Sequence, residues 1–353
     1  MRGINSADPV IETFPAADAL PSDARAVLAA AAPGLFGTLP WWDTVLHHAM
    51  PPGASAAFVT IRSSGKALAV VPMLRGGGKL TSLTTPYSCA FAPALAAGLD
   101  HASRVVAMTA LARFGRPAGV VRLDALPAEW DGLTALEAGT RQAGLVPLRF
   151  DHFGNWHEDV TGLDWSAYLS RRPGALRETI RRRLRRAEKL PDARFDLFTE
   201  PAQIEQAADA FESVYRRSWK EPEPFPTFNV ALMRATAATG QLRLGVWSIG
   251  SESVAVQFWV VGSGEATVLK LAHDEAFKAH SPGTVLSALM LRHLLDNEKV
   301  TQIDFGRGDD DYKKGWATDR RQRIGVLLAN PWSVNGALQL ALHAAGKAWL
   351  LWR

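Results

Sequence analysis

A chain of 353 residues, 47% hydrophobic and 21% charged, is globular and long enough for two domains of about 150 residues each. Its single cysteine, Cys89, excludes an intrachain disulfide and a cysteine-based zinc site, and favours a reducing compartment. The net charge of +4 conceals a local excess: residues 171–194 carry nine Arg and one Lys against Glu178, Glu188 and Asp192, or +7 in 24 residues. Such a field points to an anionic partner.

The N-terminal MRGINSADPVIETF has no apolar signal core, and no run of about 18 apolar residues is present to cross a bilayer. The expected setting is cytoplasmic, with a peripheral position at the inner face of the membrane left open. In chain order, residues 23–32 and 40–49 read as short helices. Residues 56–62 and 67–74 read as strands joined by Ser-Ser-Gly-Lys, a hairpin signal. TTPYSCAFAP (84–93) is irregular, 101–114 a helix, 120–123 a strand, 133–143 a helix and 145–152 a strand. After a helical start at 165–169, residues 175–190 predict a long helix with Leu176, Ile180, Leu184 and Ala187 on one stripe and arginines elsewhere. The second half is plainer. A strand at 195–198, a helix at 202–219, the loop EPEPFP and a helix at 228–238 precede three strands, 242–249, 253–261 and 265–272, that form an antiparallel meander. A helix at 282–297, a strand at 301–305, a short helix at 310–317, a strand at 323–329 and a final amphipathic helix complete the chain.

Ser281 stands as N-cap and Pro282 as first helical residue. The N–H groups of Gly283 and Thr284, with the helix dipole, then form the physical recipe for holding a phosphate; the same four residues also simply start a helix well. The segment TQIDFGRGDDDYKKGWA (301–317) fails as a calcium loop, because neither Gly nor Glu falls at the sixth and twelfth positions. It fails as a dinucleotide fingerprint, because Asp311 occupies the third glycine's place. What survives is a strand end, a glycine turn and a helix led by Asp309, Asp310 and Asp311. Gln257, flanked on its strand face by Ala255 and Trp259, needs a polar partner or a substrate. Trp219 and Lys220 precede the proline-rich loop and read as a substrate-side lid or as packing. His152 and His157 suggest a metal pair without a third ligand and read as structural. The C-terminal helix offers Trp349, Leu350, Leu351 and Trp352 to a membrane surface or to the domain.

The order meander, helix, strand, short helix, strand resembles the GNAT acyltransferase superfamily. Three blocks, SWK (218–220), DEAFKAHSPGT (274–284) and DFGRGDDDYKKGWA (304–317), resemble its CelD-type branch, linked to cellulose and other exopolysaccharide synthesis. The resemblance covers about residues 160–330; FGTLPWWDTVL (36–46) and TTPYSCAFAP match more loosely, and AHSPGT (279–284) departs from the fuller phosphate loop of the superfamily. The branch is also similar to Fem-type aminoacyltransferases, which use aminoacyl-tRNA.

The resemblance implies an α/β (α+β) fold of two tandem GNAT-like domains, each a mixed, mostly antiparallel sheet flanked by helices. The expected division is a degenerate domain at 1–162, a basic connector at 163–192, a catalytic domain at 193–332 and a C-terminal helix at 333–353. It implies acetyl-CoA or another acyl-CoA as co-substrate, no metal, and a saccharide or lipid-linked saccharide acceptor. On this reading Ser281, Gly283 and Thr284 hold the donor, helped by Lys313 and Lys314. Asp304, with His273 as rival, is the base, Tyr312 is the acid that protonates the leaving thiolate, and Gln257, Trp219 and Lys220 meet the acceptor. The basic stretch 171–194 would meet tRNA or an anionic membrane surface. Two alternatives stand: a Fem-type aminoacyl-tRNA-dependent aminoacyltransferase, and a non-catalytic scaffold of a polysaccharide synthesis complex.

Overall fold

The structure, a computed structural model, describes residues 8–31 and 34–351, with side chains described as far as residue 346. Trp352, and the side chains of Trp349, Leu350 and Leu351, therefore lie outside the described residues. The first half runs β1 (Val10–Phe14), α1 (Ser22–Ala30), α2 (Leu39–His48), β2 (Ser55–Ser63), β3 (Lys66–Gly76), β4 (Lys79–Ser82) and β5 (Ala94–Leu95). It continues with α3 (His101–Gly115), β6 (Val120–Pro127), α4 (Leu133–Gln142) and β7 (Val146–Asp159). The second half opens with α5 (Trp165–Ser170), α6 (Gly174–Ala187), β8 (Ala193–Phe198), α7 (Ile204–Arg216) and α8 (Phe228–Ala238). Then come β9 (Leu242–Ile249), β10 (Glu252–Gly262), β11 (Glu265–His273), α9 (Pro282–Asp296), β12 (Gln302–Arg307), α10 (Lys313–Trp316), β13 (Asp319–Ala329) and α11 (Val334–Leu351).

The order strand, two helices, three strands, helix, strand, helix, strand thus occurs twice, with the two-residue β5 as an addition to the first copy. In both copies the strand before the third helix pairs parallel with the strand after it, β4 with β6 and β11 with β12. Compact units are Met1–Phe153 with Gln322–Arg353, and Gly154–Arg321. Their borders fall inside β7 and β13, where no break in the hydrophobic pattern marks them.

In the first unit the strand order is β1-β2-β3-β4-β6-β13, with β5 on β3. The β2–β3 hairpin closes with Ser63 opposite Lys66. Ser64 and Gly65 carry φ of 49° and 76°, the two left-handed residues that a tight right-twisted hairpin requires. In the second unit the residues of β7 beyond Gly154 pair with β12, and the order continues β12-β11-β10-β9-β8. The turn between β10 and β11 repeats the device, with Ser263 and Gly264 at φ of 51° and 80°.

The core of the second unit lies on one face of its sheet. Ala255 and Trp259 of β10, Val268 of β11 and Ile303 and Phe305 of β12 pack with Val285, Leu286, Leu291 and Leu294 of α9. The stripe on α6 joins this cluster through Leu176, Ile180, Leu184 and Ala187, so the arginines are left on its outer faces. α7 packs against β10. The β11–β12 ladder covers only Glu265–Thr267 opposite Gln302–Asp304, after which the strands run on unpaired with one another.

Candidate active site

Where that ladder ends, a cavity of about 340 Å³ opens at the N-terminus of α9, within the size range of small-molecule sites. Trp219, Gln257, His273, Ser281, Gly283, Thr284 and Tyr312 all line it, together with Leu271, Lys278 and Trp316. Seven side chains or backbones singled out from sequence segments up to 93 residues apart are thus brought to one place.

Pro282 occupies the first turn of α9, and Ser281 precedes it at φ 55°, ψ 50°. The serine marks the helix start but makes no side-chain cap bond, because its left-handed backbone differs from the extended conformation in which an N-cap hydroxyl reaches the helix. Gly283 and Thr284 stand in the first turn, where the α-helical ladder supplies no acceptor for their N–H groups. Those donors and the positive helix end face the cavity.

His273 ends β11 on the same side. Its ring lies 4.4 Å, centroid to centroid, from that of Trp219. Nε2 is 3.3 Å from Glu275 Oε1, and Nδ1 is 3.4 Å from where a Cβ on Gly283 would stand. The carboxylate thus orients the ring with Nε2–H toward Glu275 and bare Nδ1 toward α9. Burial lowers the His273 pKa from its ordinary 6.5, against the opposing pull of Glu275. Tyr312 is 43% exposed at the cavity wall, and desolvation followed by the nearby Asp310 carboxylate pushes its pKa upward. Gln257 is buried; its Nε2 donates to Ser287 Oγ at 2.7 Å and its Oε1 accepts from Trp259 Nε1 at 2.9 Å. The required partner is therefore a serine on α9 and an indole, and the amide is fixed at the cavity floor.

Asp304 is not in this cavity. Its neighbours Ile303 and Phe305 belong to the α9-side core, so strand alternation turns Asp304 to the other face of the sheet. There it is buried, and its carboxylate accepts from Asn155 Nδ2 and Gly306 N, both at 2.7 Å, and pairs with Arg321. No oxygen of it reaches the cavity lining. Lys313 and Lys314 also stand apart. Lys313 is buried and donates to the carbonyls of Arg307 and Gly308 at 2.8 and 3.3 Å, with Asp310 at 3.1 Å. Lys314 pairs with Asp311 at 2.7 Å. The acids three residues upstream claim both ammonium groups, and α10 shortens to Lys313–Trp316. Asp309 pairs with Arg320 and accepts from Trp156 Nε1 at 2.6 Å. Lys220 sits over the Trp219 ring at 5.3 Å, outside the cavity lining.

The residues that brace this site had no mark in the sequence. The carbonyl of Trp316 accepts from Tyr168 Oη at 2.5 Å and Arg172 Nη1 at 2.9 Å. Arg172 forms a buried ion pair with Glu158, whose Oε2 also accepts from Thr318 N at 2.6 Å. Arg172 had counted toward the basic stretch; it is internal. Arg194 pairs with Asp196 and Arg181 with Glu178. The outward charge of 171–194 is consequently carried chiefly by Arg182, Arg185, Arg186 and Lys189, all exposed. Arg183 instead reaches the carbonyl of Ala279 at 3.4 Å, on the turn before α9. His152 accepts from Ala125 N at 2.9 Å through Nδ1, and no group of three or more potential metal ligands occurs among the described residues.

Residues 174–314 match the acetyltransferase (GNAT) domain family. The match covers about two fifths of the chain. It holds every lining residue of the cavity except Trp316, two positions beyond it. Among solved structures the chain is similar to FemX at 12% identity, with 86% of this chain and 95% of that one covered and a TM-score of 0.57. It is similar to L-PGS from Bacillus licheniformis at 13% identity, covering 85% and 94%, with a TM-score of 0.54. A conserved protein of unknown function from Bacteroides thetaiotaomicron is similar at 11% identity, covering 87% and 97%, with a TM-score of 0.58. These likenesses establish the fold, across both halves of the chain. A search of curated proteins finds no match. The match to the acetyltransferase family supports an acyltransferase.

Proposed function

We propose that the protein is an acyl-CoA-dependent N- or O-acyltransferase whose donor lies in the α9 cavity. The observation that carries this reading is the convergence of His273, Tyr312 and the first turn of α9 on one cavity. The residues fit such a donor: two N–H groups at a helix N-terminus suit its phosphates, with Lys278, 3.4 Å from Glu275, at the rim, while Leu271, Pro282 and Trp316 suit its apolar arm. Bound acyl-CoA supplies an activated acyl carbonyl on a thiol leaving group.

The chain's own part is then positional and acid–base. Gly283 and Thr284 hold the donor's anionic oxygens at the helix N-terminus. Trp219 and Trp316 limit water at the reacting end. His273 Nδ1 takes the proton of the attacking amine or hydroxyl, with Glu275 holding the ring. Tyr312 Oη, protonated at neutral pH, gives a proton to the leaving sulfur. We prefer His273 to Asp304 as base because Asp304 is fully engaged on the far face of the sheet. The acceptor we assign is a saccharide or lipid-linked saccharide of an exopolysaccharide or cell-envelope route, a choice supported by resemblance to the CelD-type branch.

A second reading is favoured by one observation, the exposed cations of α6. An aminoacyl-tRNA donor, as in the Fem-type enzymes, would place its phosphates along Arg182, Arg185, Arg186 and Lys189. Release of free thiol from acetyl-CoA in the presence of amino-sugar acceptors tests the first reading. Transfer from aminoacyl-tRNA alone, with binding that weakens steeply as salt rises, would replace it by the second. Absence of both would leave the scaffold.

A further inference from the structure

α11 carries its amphipathic character reversed. Val334, Ala337, Leu338, Ala341, Leu342 and Ala345 follow helical spacing and are all exposed; Val334 is 86%, Leu338 54% and Leu342 57% exposed. Trp332, just before the helix, is 84% exposed. The polar Gln339 and His343 are instead half-buried, and Asn335, Gln339 and one edge of Leu338 help line a cavity of about 270 Å³ with Lys79, Thr81 and Arg122. A surface helix in water ordinarily presents the opposite arrangement.

The attachment of α11 to its unit is narrow but definite. Gly336 lies so close to Asn330 that a Cβ would stand 2.0 Å from its carbonyl oxygen. Leu340 packs against Leu148, Leu327 and Ala329. Those contacts use one side of the helix and leave most of the apolar side exposed, with Leu338 at its border on the cavity.

The surrounding charge indicates what covers it. No Asp or Glu occurs from Arg320 to the end of the chain. Lys79 borders the cavity beneath α11 and, with Arg75, an adjoining one of about 280 Å³. An apolar stripe edged by an indole, free of carboxylates and flanked by cations matches the boundary of an anionic bilayer. A second copy of the chain would bring the same cations against one another.

We propose that α11 is a membrane-surface helix that seats Trp332, Val334, Leu338 and Leu342 among the headgroups of an anionic bilayer, with Lys79 beside the lipid phosphates. The test is co-sedimentation of the full chain with vesicles of phosphatidylcholine alone and of phosphatidylcholine with one-quarter phosphatidylglycerol, roughly the surface charge of an anionic leaflet. The expected result is capture by the anionic vesicles only. Leu338→Asp with Leu342→Asp, both on exposed positions, should weaken capture about a hundredfold or more, and Lys79→Glu should weaken it about tenfold. Circular dichroism checks that the variants fold. No capture of the wild-type chain, equal capture by neutral vesicles, or undiminished capture of the folded double variant would each overturn the proposal. A wild-type dimer in sedimentation velocity that the double variant dissociates, without vesicle capture, would overturn it in favour of self-association.

Discussion

Burial disfavours the imidazolium of His273, so the ring gives up its proton more readily than an ordinary histidine of pKa 6.5. The neutral form is the one a base needs. Activity limited by this group is present above the lowered pKa and lost as pH falls through it. The acid limb of kcat/KM should therefore lie below pH 6.5, and His273→Gln should remove that limb along with most of the rate. An acid limb kept unchanged in His273→Gln would assign the base elsewhere. Tyr312 is shifted the other way, so it remains a proton donor throughout the neutral range. Tyr312→Phe should lower kcat about a hundredfold, the scale of lost general-acid assistance, with KM for the donor nearly unchanged in steady-state assays. Asp304→Asn gives the contrasting result: the acid limb kept, and stability in urea reduced by about 1–3 kcal/mol because an amide NH2 replaces the charged oxygen that Arg321 pairs with.

α10 places Tyr312, and α10 is itself held through the Trp316 carbonyl by Tyr168 and Arg172. Arg172→Met strands the Glu158 carboxylate in the interior, which should cost about 3–5 kcal/mol in equilibrium urea unfolding. A change below about 1 kcal/mol would show that the buried pair does not brace the element. The elements themselves were largely legible. Alternation and Gly turns located β2, β3, β9, β10 and β11, and the 3.6-residue pattern located α3, α6, α8 and α9 to within a few residues. β1, β4 and β5 were missed; β4 and β5 are only a few residues long, too short for a period to register. The long reach of β7 through Gly154 and Asn155 was hidden because a Gly-Asn pair reads as a turn. Side-chain partners were the less legible level. Asp304, Lys313 and Lys314 carry the right chemistry for a site. Their use by Arg321, by backbone carbonyls and by Asp310 and Asp311 depends on which sheet face and which helical turn each occupies. The pairing of His273 with Glu275 left a faint trace, two acids directly after a histidine at a strand end, that points to an oriented base only once the cavity is known.

At the scale of the molecule, one order of elements is used twice, and the cavity described above is formed in the second use. The account's central claim is that the first turn of α9 holds an acyl donor there. Gly283 is the position to probe, because nothing but the His273 ring comes within 4 Å of a Cβ placed on it and the fold has room for a substitution. Gly283→Glu would put a carboxylate against the helix N-terminus and His273, where it competes with an anionic ligand. The measurement is isothermal titration calorimetry of acetyl-CoA into the wild-type chain and into Gly283→Glu, each checked for intact fold by thermal melting. The account predicts micromolar binding by the wild type, about −8 kcal/mol, and its loss in the variant. Equal affinity in the two proteins, or no binding by the wild type, would contradict it.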